Sequence, residues 1–210
     1  MSIFVVLGLS LAYEVLTALL PFWVAFLLYR NRQIQKGVDS SRYHVWALVV
    51  FSVYVLGVYH FTGVSTIYDI KRFIFIPEQI NLIPFSNEID VVAYALNVVL
   101  FVPLGLLAPL IWQKMDRLRN ILMAGFGFTL LIEVSQLLNF RSTDIDDVIL
   151  NVLGGVVGYG LFKLWNRITK SKFQVNSPSA AEMAACILAV FFGRFLLFNE
   201  MGLMSLIFRF

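Results

Sequence analysis

Six long apolar segments constrain the fold of this chain more than any other feature of its sequence. They span residues 3–29, 43–62, 91–112, 121–138, 148–165 and 184–198. Most of them reach or approach the ~20 residues that an α-helix needs to cross about 30 Å of hydrocarbon. Apolar residues make up 60% of the chain, whereas soluble globular domains contain about 45–50%. The sequence therefore predicts an all-α fold, a polytopic transmembrane bundle of about six helices.

The distribution of basic residues predicts how this bundle is oriented. Most of the 16 lysines and arginines lie in the segments 30–42, 114–119 and 163–172. The positive-inside rule assigns these segments to the cytoplasm, so both termini and the loops 63–90 and 139–147 are expected outside. Because topology accounts for the net charge of +3, we expect no nucleic-acid partner.

Polar residues gather near the predicted outer ends of the third, fourth and fifth helices. The group consists of Asn97, Glu133, Gln136, Asp147 and Asn151, with Arg141 and Asp144 beside it. At 100° per residue, Asp144, Asp147 and Asn151 share an arc of about 60° on one helix face. Polar groups at this depth are costly unless they face a cavity or a partner. The pattern favours an outward-facing site; the alternative is a hydrogen-bond network that only joins the helices.

The neighbours of this group have simpler structural interpretations. Asp144 is expected to cap the fifth helix, where its carboxylate also suits the helix dipole. Asp146 points nearly the opposite way from that shared polar face of the helix and is expected to be solvated at the surface. The spacing Gly154-x-x-x-Gly158 favours close helix packing, either within the chain or between two copies, so the oligomeric state stays open.

Two further charges interrupt the apolar segments. Glu14 is predicted near the middle of the first helix, and Arg194 near the middle of the sixth. A lone charge at mid-bilayer is costly, so each is expected to have a partner. We expect a structural ion pair, either Glu14–Arg194 or Glu133–Arg194, in preference to a catalytic role for Arg194.

The segment 70–85 is unusually apolar for a loop outside the membrane. Such a stretch is expected to lie in the membrane interface or to fold back over the polar site as a lid. Either position would bring it next to the predicted outer ends of the helices.

Four sequence motifs occur in order along the central part of the chain. They are NLIPF at 81–85, NVVLFVPLG at 97–105, EVSQ at 133–136 and RSTDIDDVILNVLGGVVG at 141–158. This set resembles the VanZ family over about residues 43–165. The resemblance implies a VanZ-like membrane domain over 43–172, flanked by an N-terminal helix with its cytoplasmic loop (1–42) and a C-terminal membrane segment (173–210).

The same resemblance implies a location, a function and a set of residues. It implies a multi-pass protein of the bacterial plasma membrane, and the family's namesake is associated with low-level resistance to teicoplanin and related lipoglycopeptides. Carried onto this chain, the polar positions of the family are Asn81, Asn97, Glu133, Gln136, Arg141, Asp144, Asp147 and Asn151.

The first function compatible with these residues is binding or shielding at the outer leaflet. The partner would be membrane lipid, a lipid-linked peptidoglycan precursor, or the acyl chain that teicoplanin carries and vancomycin lacks. The binding residues would be Asn81, Asn97, Gln136, Arg141 and Asn151.

The second function is an enzyme, a hydrolase or transferase, that acts on a lipid-linked or cell-wall substrate. Glu133 would carry a proton. Asp144 and Asp147 would complete the catalytic set and could hold a divalent cation with a substrate phosphate. Arg141 would bind that phosphate. A small lipid or solute transporter, coupled through the intramembrane charges, is favoured least because no inverted repeat is visible.

Overall fold

The computed structural model describes residues 2–35, 42–74, 76–86, 90–139, 141–170 and 180–208. These residues form seven α-helices and one two-stranded sheet. The helices are α1 (Ile3–Gln35), α2 (Arg42–Thr62), α3 (Val91–Ile111), α4 (Leu118–Gln136), α5 (Ile145–Thr169), α6 (Ala180–Leu197) and α7 (Glu200–Phe208). The parallel strands are β1 (Ile80–Asn81) and β2 (Thr143–Asp144), and short 3-10 helices cover Asp69–Arg72, Pro77–Gln79 and Gln113–Met115.

Within the described ranges, the helices α1 to α5 are each long and apolar enough to cross a membrane. Helices α6 and α7 are bent by 40° at a short break and together make a sixth candidate span. At the break, the Asn199 side chain accepts a hydrogen bond from the backbone N–H of Gly202 at 2.8 Å, so it caps α7. The segment predicted over 184–198 corresponds to α6, and α7 extends the helical region beyond it. The all-α membrane bundle is confirmed, whereas the orientation of its termini stays a prediction.

The most extensive helix contact joins α3 to α5. A methyl group added at Gly105 would overlap the carbonyl oxygen of Gly155, and one added at Gly158 would overlap that of Val102. Gly154 lies equally close to the backbone of α3. The spacing Gly154-x-x-x-Gly158 therefore serves packing within the chain, and α3 covers the face that a glycine-mediated dimer would need.

The apolar core lies between α1, α2, α3, α4 and α6, and it contains several aromatic rings. The rings of Phe51 and Trp112 meet edge-on with their centroids 4.8 Å apart, and those of Tyr59 and Phe128 do so at 5.5 Å. The buried Tyr59 hydroxyl donates to the Ile187 carbonyl at 3.0 Å, so this polar atom is satisfied. These contacts pack α2 against the residue that follows α3 and against α4 and α6.

A polar contact fixes the opposite end of the bundle, which is predicted to be cytoplasmic. Glu182 of α6 lies 2.9 Å from Nε2 of His44 on α2, and it accepts a hydrogen bond from the indole N–H of Trp112 at 2.8 Å. Trp112 directly follows α3. One carboxylate therefore joins α6 to α2 and to the end of α3.

A buried ion pair joins α1 to α6. Nε of Arg194 donates to Oε1 of Glu14 at 2.7 Å, and the two residues are only 6% and 3% exposed. Arg194 also donates to the Val64 carbonyl, and the second Glu14 oxygen lies 2.7 Å from Nδ1 of His60. The structure thus contains the first of the two predicted pairings. Arg194 lies in the last turn of α6, just before the break to α7, and contacts the loop that follows α2. Its predicted depth near the middle of the membrane stays a prediction.

Candidate functional site

A cavity of about 400 Å³ lies among the ends of α2, α3, α4 and α5 that are predicted to face outward. Six of the eight residues predicted for a site line it, namely Asn97, Glu133, Gln136, Arg141, Asp147 and Asn151. The other two, Asn81 and Asp144, lie beside it at the start of α5. The fold therefore brings together polar side chains from three helices and one loop.

The start of α5 is built from Asp144 and its contacts. Its side chain accepts a hydrogen bond from the backbone N–H of Asp146 at 3.0 Å, which confirms the predicted helix cap. Its own backbone N–H donates to Oε2 of Glu133 at 3.3 Å. Asn81 pairs with it across the parallel strands and donates to its carboxylate oxygens at 3.3 and 3.2 Å. The described part of loop 63–90 therefore flanks the cavity and does not line it.

Two carboxylates reach the cavity from different helices. Asp147 of α5 is half-buried and accepts a hydrogen bond from Nδ2 of Asn97 on α3 at 2.5 Å. Glu133 of α4 is 3% exposed and lines the same space. The Asn97–Asp147 contact therefore joins α3 to α5 beside the cavity.

Amide side chains complete the polar wall. The Thr62 carbonyl, at the end of α2, accepts hydrogen bonds from Nε2 of Gln136 and from Nη1 of Arg141, each at 2.7 Å. Nδ2 of Asn151 donates to Oγ1 of Thr129 at 2.9 Å. The amide oxygens of Gln136 and Asn151 are buried and accept no hydrogen bond from any residue that the structure describes. These two oxygens are the unsatisfied acceptors of the site.

The remaining wall of the cavity is apolar. Phe61, Leu96 and Val99 line it, and their side chains are 73%, 61% and 62% exposed on the outside of the bundle. In a membrane, such exposed apolar side chains on a spanning helix face lipid. The site is therefore amphiphilic, with carboxylates and amides on one wall and lipid-facing side chains on another.

Comparison with known families identifies the group to which this fold and site belong. A family model described as VanZ/LLP1 matches residues 16–166, which is more than half of the chain. The chain belongs to the VanZ family. All eight predicted site residues lie within the matched region, whereas the Glu14–Arg194 pair lies outside it. No curated protein and no solved structure shows a significant match to the chain.

One residue of the VanZ-like region differs from the prediction. Asp146 was expected at the solvated surface, and this is wrong because the residue is 1% exposed. Its carboxylate accepts hydrogen bonds from the backbone N–H of Phe85 at 2.8 Å and from the Tyr94 hydroxyl. Helix geometry alone places Asp146 away from the helix face that carries the predicted site, but it does not reveal that the NLIPF loop covers that side.

Replacing Asp146 with alanine is expected to loosen the NLIPF loop while the bundle stays folded. Two donors would lose a carboxylate acceptor, which costs about 1–3 kcal/mol of local stability. Hydrogen–deuterium exchange over residues 80–86 should therefore accelerate by about tenfold or more. Asp116→Ala, at the other end of the bundle, should leave that exchange unchanged. Wild-type exchange in Asp146→Ala would show that the carboxylate does not hold the loop.

The acidic residues considered as cation ligands in this VanZ protein have different partners. Asp144 caps α5 and contacts Asn81, whereas Asp147 contacts Asn97. Among the described residues, no group of three or more histidine, cysteine, aspartate or glutamate side chains is placed to hold a metal ion.

Proposed function

We propose that this VanZ-family membrane protein confers low-level resistance to teicoplanin and related lipoglycopeptides by binding an amphiphile at the outer surface of the bacterial plasma membrane. The amphiphile would be the lipid tail of the drug or a lipid-linked cell-wall component. The observation that carries the proposal is the amphiphilic cavity, in which carboxylates and lipid-facing side chains share about 400 Å³. Ligand pockets of about 300–1,000 Å³ suit groups of this kind.

Several features of the cavity support an amphiphile over a soluble ligand. Leu96 and Val99 lie on the lipid-facing side of α3, so an acyl chain could remain in the bilayer while a polar group enters the cavity. Glu133 and Asp147 would contact the polar group. The cavity is too small for a whole lipoglycopeptide, so only part of such a ligand would enter. A drug without an acyl chain would lack the part that the membrane side of the site can hold.

Conservative substitution of the carboxylates tests this proposal. Matched strains of a susceptible Gram-positive host would carry wild type, Asp147→Asn or Glu133→Gln at equal membrane abundance. Wild type should raise the inhibitory concentration of teicoplanin and leave that of vancomycin unchanged. Each variant should lower the tolerance, because a hydrogen bond to a charged group contributes about 1.5–3 kcal/mol, or roughly tenfold or more in affinity.

The matched control is Asp116→Asn, since this acidic residue contacts Lys163 and Tyr159 at the other end of the bundle. It should keep wild-type tolerance. Full tolerance in both cavity variants would assign the cavity carboxylates a purely structural role. No tolerance with wild type would show that resistance is not a function of this chain.

A second candidate is an enzyme, a membrane hydrolase or transferase acting on a lipid-linked or cell-wall substrate. The observation that favours it is that Glu133, Asp147 and Arg141 line one cavity. Glu133 would carry the proton and Arg141 would bind a phosphate or carboxylate of the substrate. The two functions differ in how they respond to Glu133→Gln. An enzyme would lose essentially all activity at normal abundance, whereas a binding protein would keep part of its effect.

A further inference from the structure

The cavity has two buried acceptors that lack donors. Within the described part of the chain, the amide oxygens of Gln136 and Asn151 have no hydrogen-bond partner, and the two residues are only 5% and 2% exposed. The orientation of the Gln136 amide is fixed, because the Thr62 carbonyl can only accept and therefore requires the NH₂ group. Buried acceptors without donors are rare in folded proteins, and both of these residues line a space large enough for a ligand.

The same cavity has an excess of acceptors over donors. The carboxyl groups of Glu133 and Asp147 lie in the same wall, and a cation bound there would favour their ionised form, which only accepts hydrogen bonds. The amide N–H of Asn97 is directed to Asp147. Among the described residues that line the cavity, Arg141 alone is basic, and its Nη1 is directed to the Thr62 carbonyl. The group that complements this wall is therefore a cation that can donate several hydrogen bonds.

An ammonium group fits this wall better than a metal ion does. A divalent cation needs several oxygens to converge at about 2.0–2.6 Å, and no described group of three acidic, histidine or cysteine side chains is placed to hold one. A primary ammonium has three N–H donors that can reach acceptors spread around a larger space. The cavity volume of about 400 Å³ likewise suits a headgroup and not a single ion.

We propose that the cavity binds the headgroup of a membrane lipid or lipid-like amphiphile that carries a protonated primary amine. This inference rests on the proposed function and adds the chemistry of the headgroup. The ammonium would contact Glu133, Asp147 and the free oxygen of Gln136, while the acyl chains pass Leu96 and Val99 into the bilayer. Arg141, which is exposed, would face a phosphate next to the amine. Phosphoethanolamine is the simplest headgroup with both groups.

A headgroup series on the purified whole chain in detergent tests the inference. Dioleoyl phosphatidylethanolamine, phosphatidylcholine and phosphatidylglycerol would be titrated while the thermal unfolding midpoint is measured. Phosphatidylethanolamine should reach half-maximal stabilisation at a concentration at least tenfold lower than the other two lipids. Phosphatidylcholine has the same charge but no N–H donors, so it isolates the contribution of the hydrogen bonds. The preference should disappear in Asp147→Asn and Glu133→Gln and persist in Asp116→Asn.

Each other outcome is decisive. Equal stabilisation by phosphatidylglycerol or phosphatidylcholine would show that the cavity does not recognise a primary amine, while the proposed binding of an amphiphile would stand. No stabilisation by any of the lipids would contradict both the recognition of a primary amine and the proposed binding function. Equal stabilisation by soluble phosphoethanolamine would show that the acyl chains are not required, which contradicts a lipid ligand. Stabilisation by Mg²⁺ instead of the lipid would show that the site binds a metal ion and not an ammonium group. If the variants do not fold, the wild-type protein would be titrated with mono- and dimethylated phosphatidylethanolamine. Its affinity for the lipid should fall with each N–H donor removed, and an unchanged affinity would contradict the proposal.

Discussion

Replacing Gly158 with alanine is expected to destabilise the bundle by about 3 kcal/mol or more. The added methyl group would overlap the Val102 carbonyl oxygen on α3. Overpacking a core usually costs about 1–3 kcal/mol, because side chains can shift. Here the obstacle is backbone, so α3 and α5 must separate along their main contact. Denaturant-induced unfolding in detergent micelles would measure the loss, and Gly105→Ala should behave in the same way.

Gly160 provides a matched control on the same helix. A methyl group at this position meets no atom within 4 Å, so Gly160→Ala removes a glycine without crowding a neighbour. Alanine favours a helix over glycine by about 1 kcal/mol, and this variant should be as stable as wild type or slightly more stable. Equal stability of Gly158→Ala and Gly160→Ala would show that α3 and α5 are not in close backbone contact.

Much of the site could be predicted because its residues follow helix geometry. Asp147 and Asn151 are four residues apart on one helix, and Glu133 and Gln136 are three apart on another, so each pair shares a face. Their similar distance from the predicted outer ends then places both pairs at one level of the bundle. The structure shows them around one cavity. The apolar lengths likewise determined the number of spans, because the bilayer thickness is fixed.

What could not be predicted depends on contacts between distant parts of the chain. Asp146 is buried by the NLIPF loop, and Glu182 is held by His44 and Trp112 from two other elements. Neither partner follows from periodicity, which describes one helix at a time. The unsatisfied oxygen of Gln136 is a further case, since it follows from the position of the Thr62 carbonyl at the end of α2.

Replacing Arg194 with methionine is expected to cost about 3–5 kcal/mol of stability. The change would leave Glu14 buried with only His60 as a partner among the contacts described. Removing one member of a buried pair is costly because the other charge has lost its compensation, whereas replacing both members is often close to neutral. Glu14→Gln combined with Arg194→Met should therefore be more stable than Arg194→Met alone. Unfolding free energies of the wild type, the two single variants and the double variant would measure the coupling.

The partly exposed pair Asp116–Lys163 serves as a control. It separates the cost of leaving a buried charge without its partner from the cost of losing any ion pair. Its side chains are 27% and 49% exposed, and solvent screening limits such a pair to about 0–1 kcal/mol. Lys163→Met should therefore change stability little. Equal losses in Lys163→Met and Arg194→Met would contradict the argument, as would simple additivity in the double variant. A large loss confined to Arg194→Met would show that α1 and α6, whose paired charges lie outside the VanZ match, are fixed to each other through this contact.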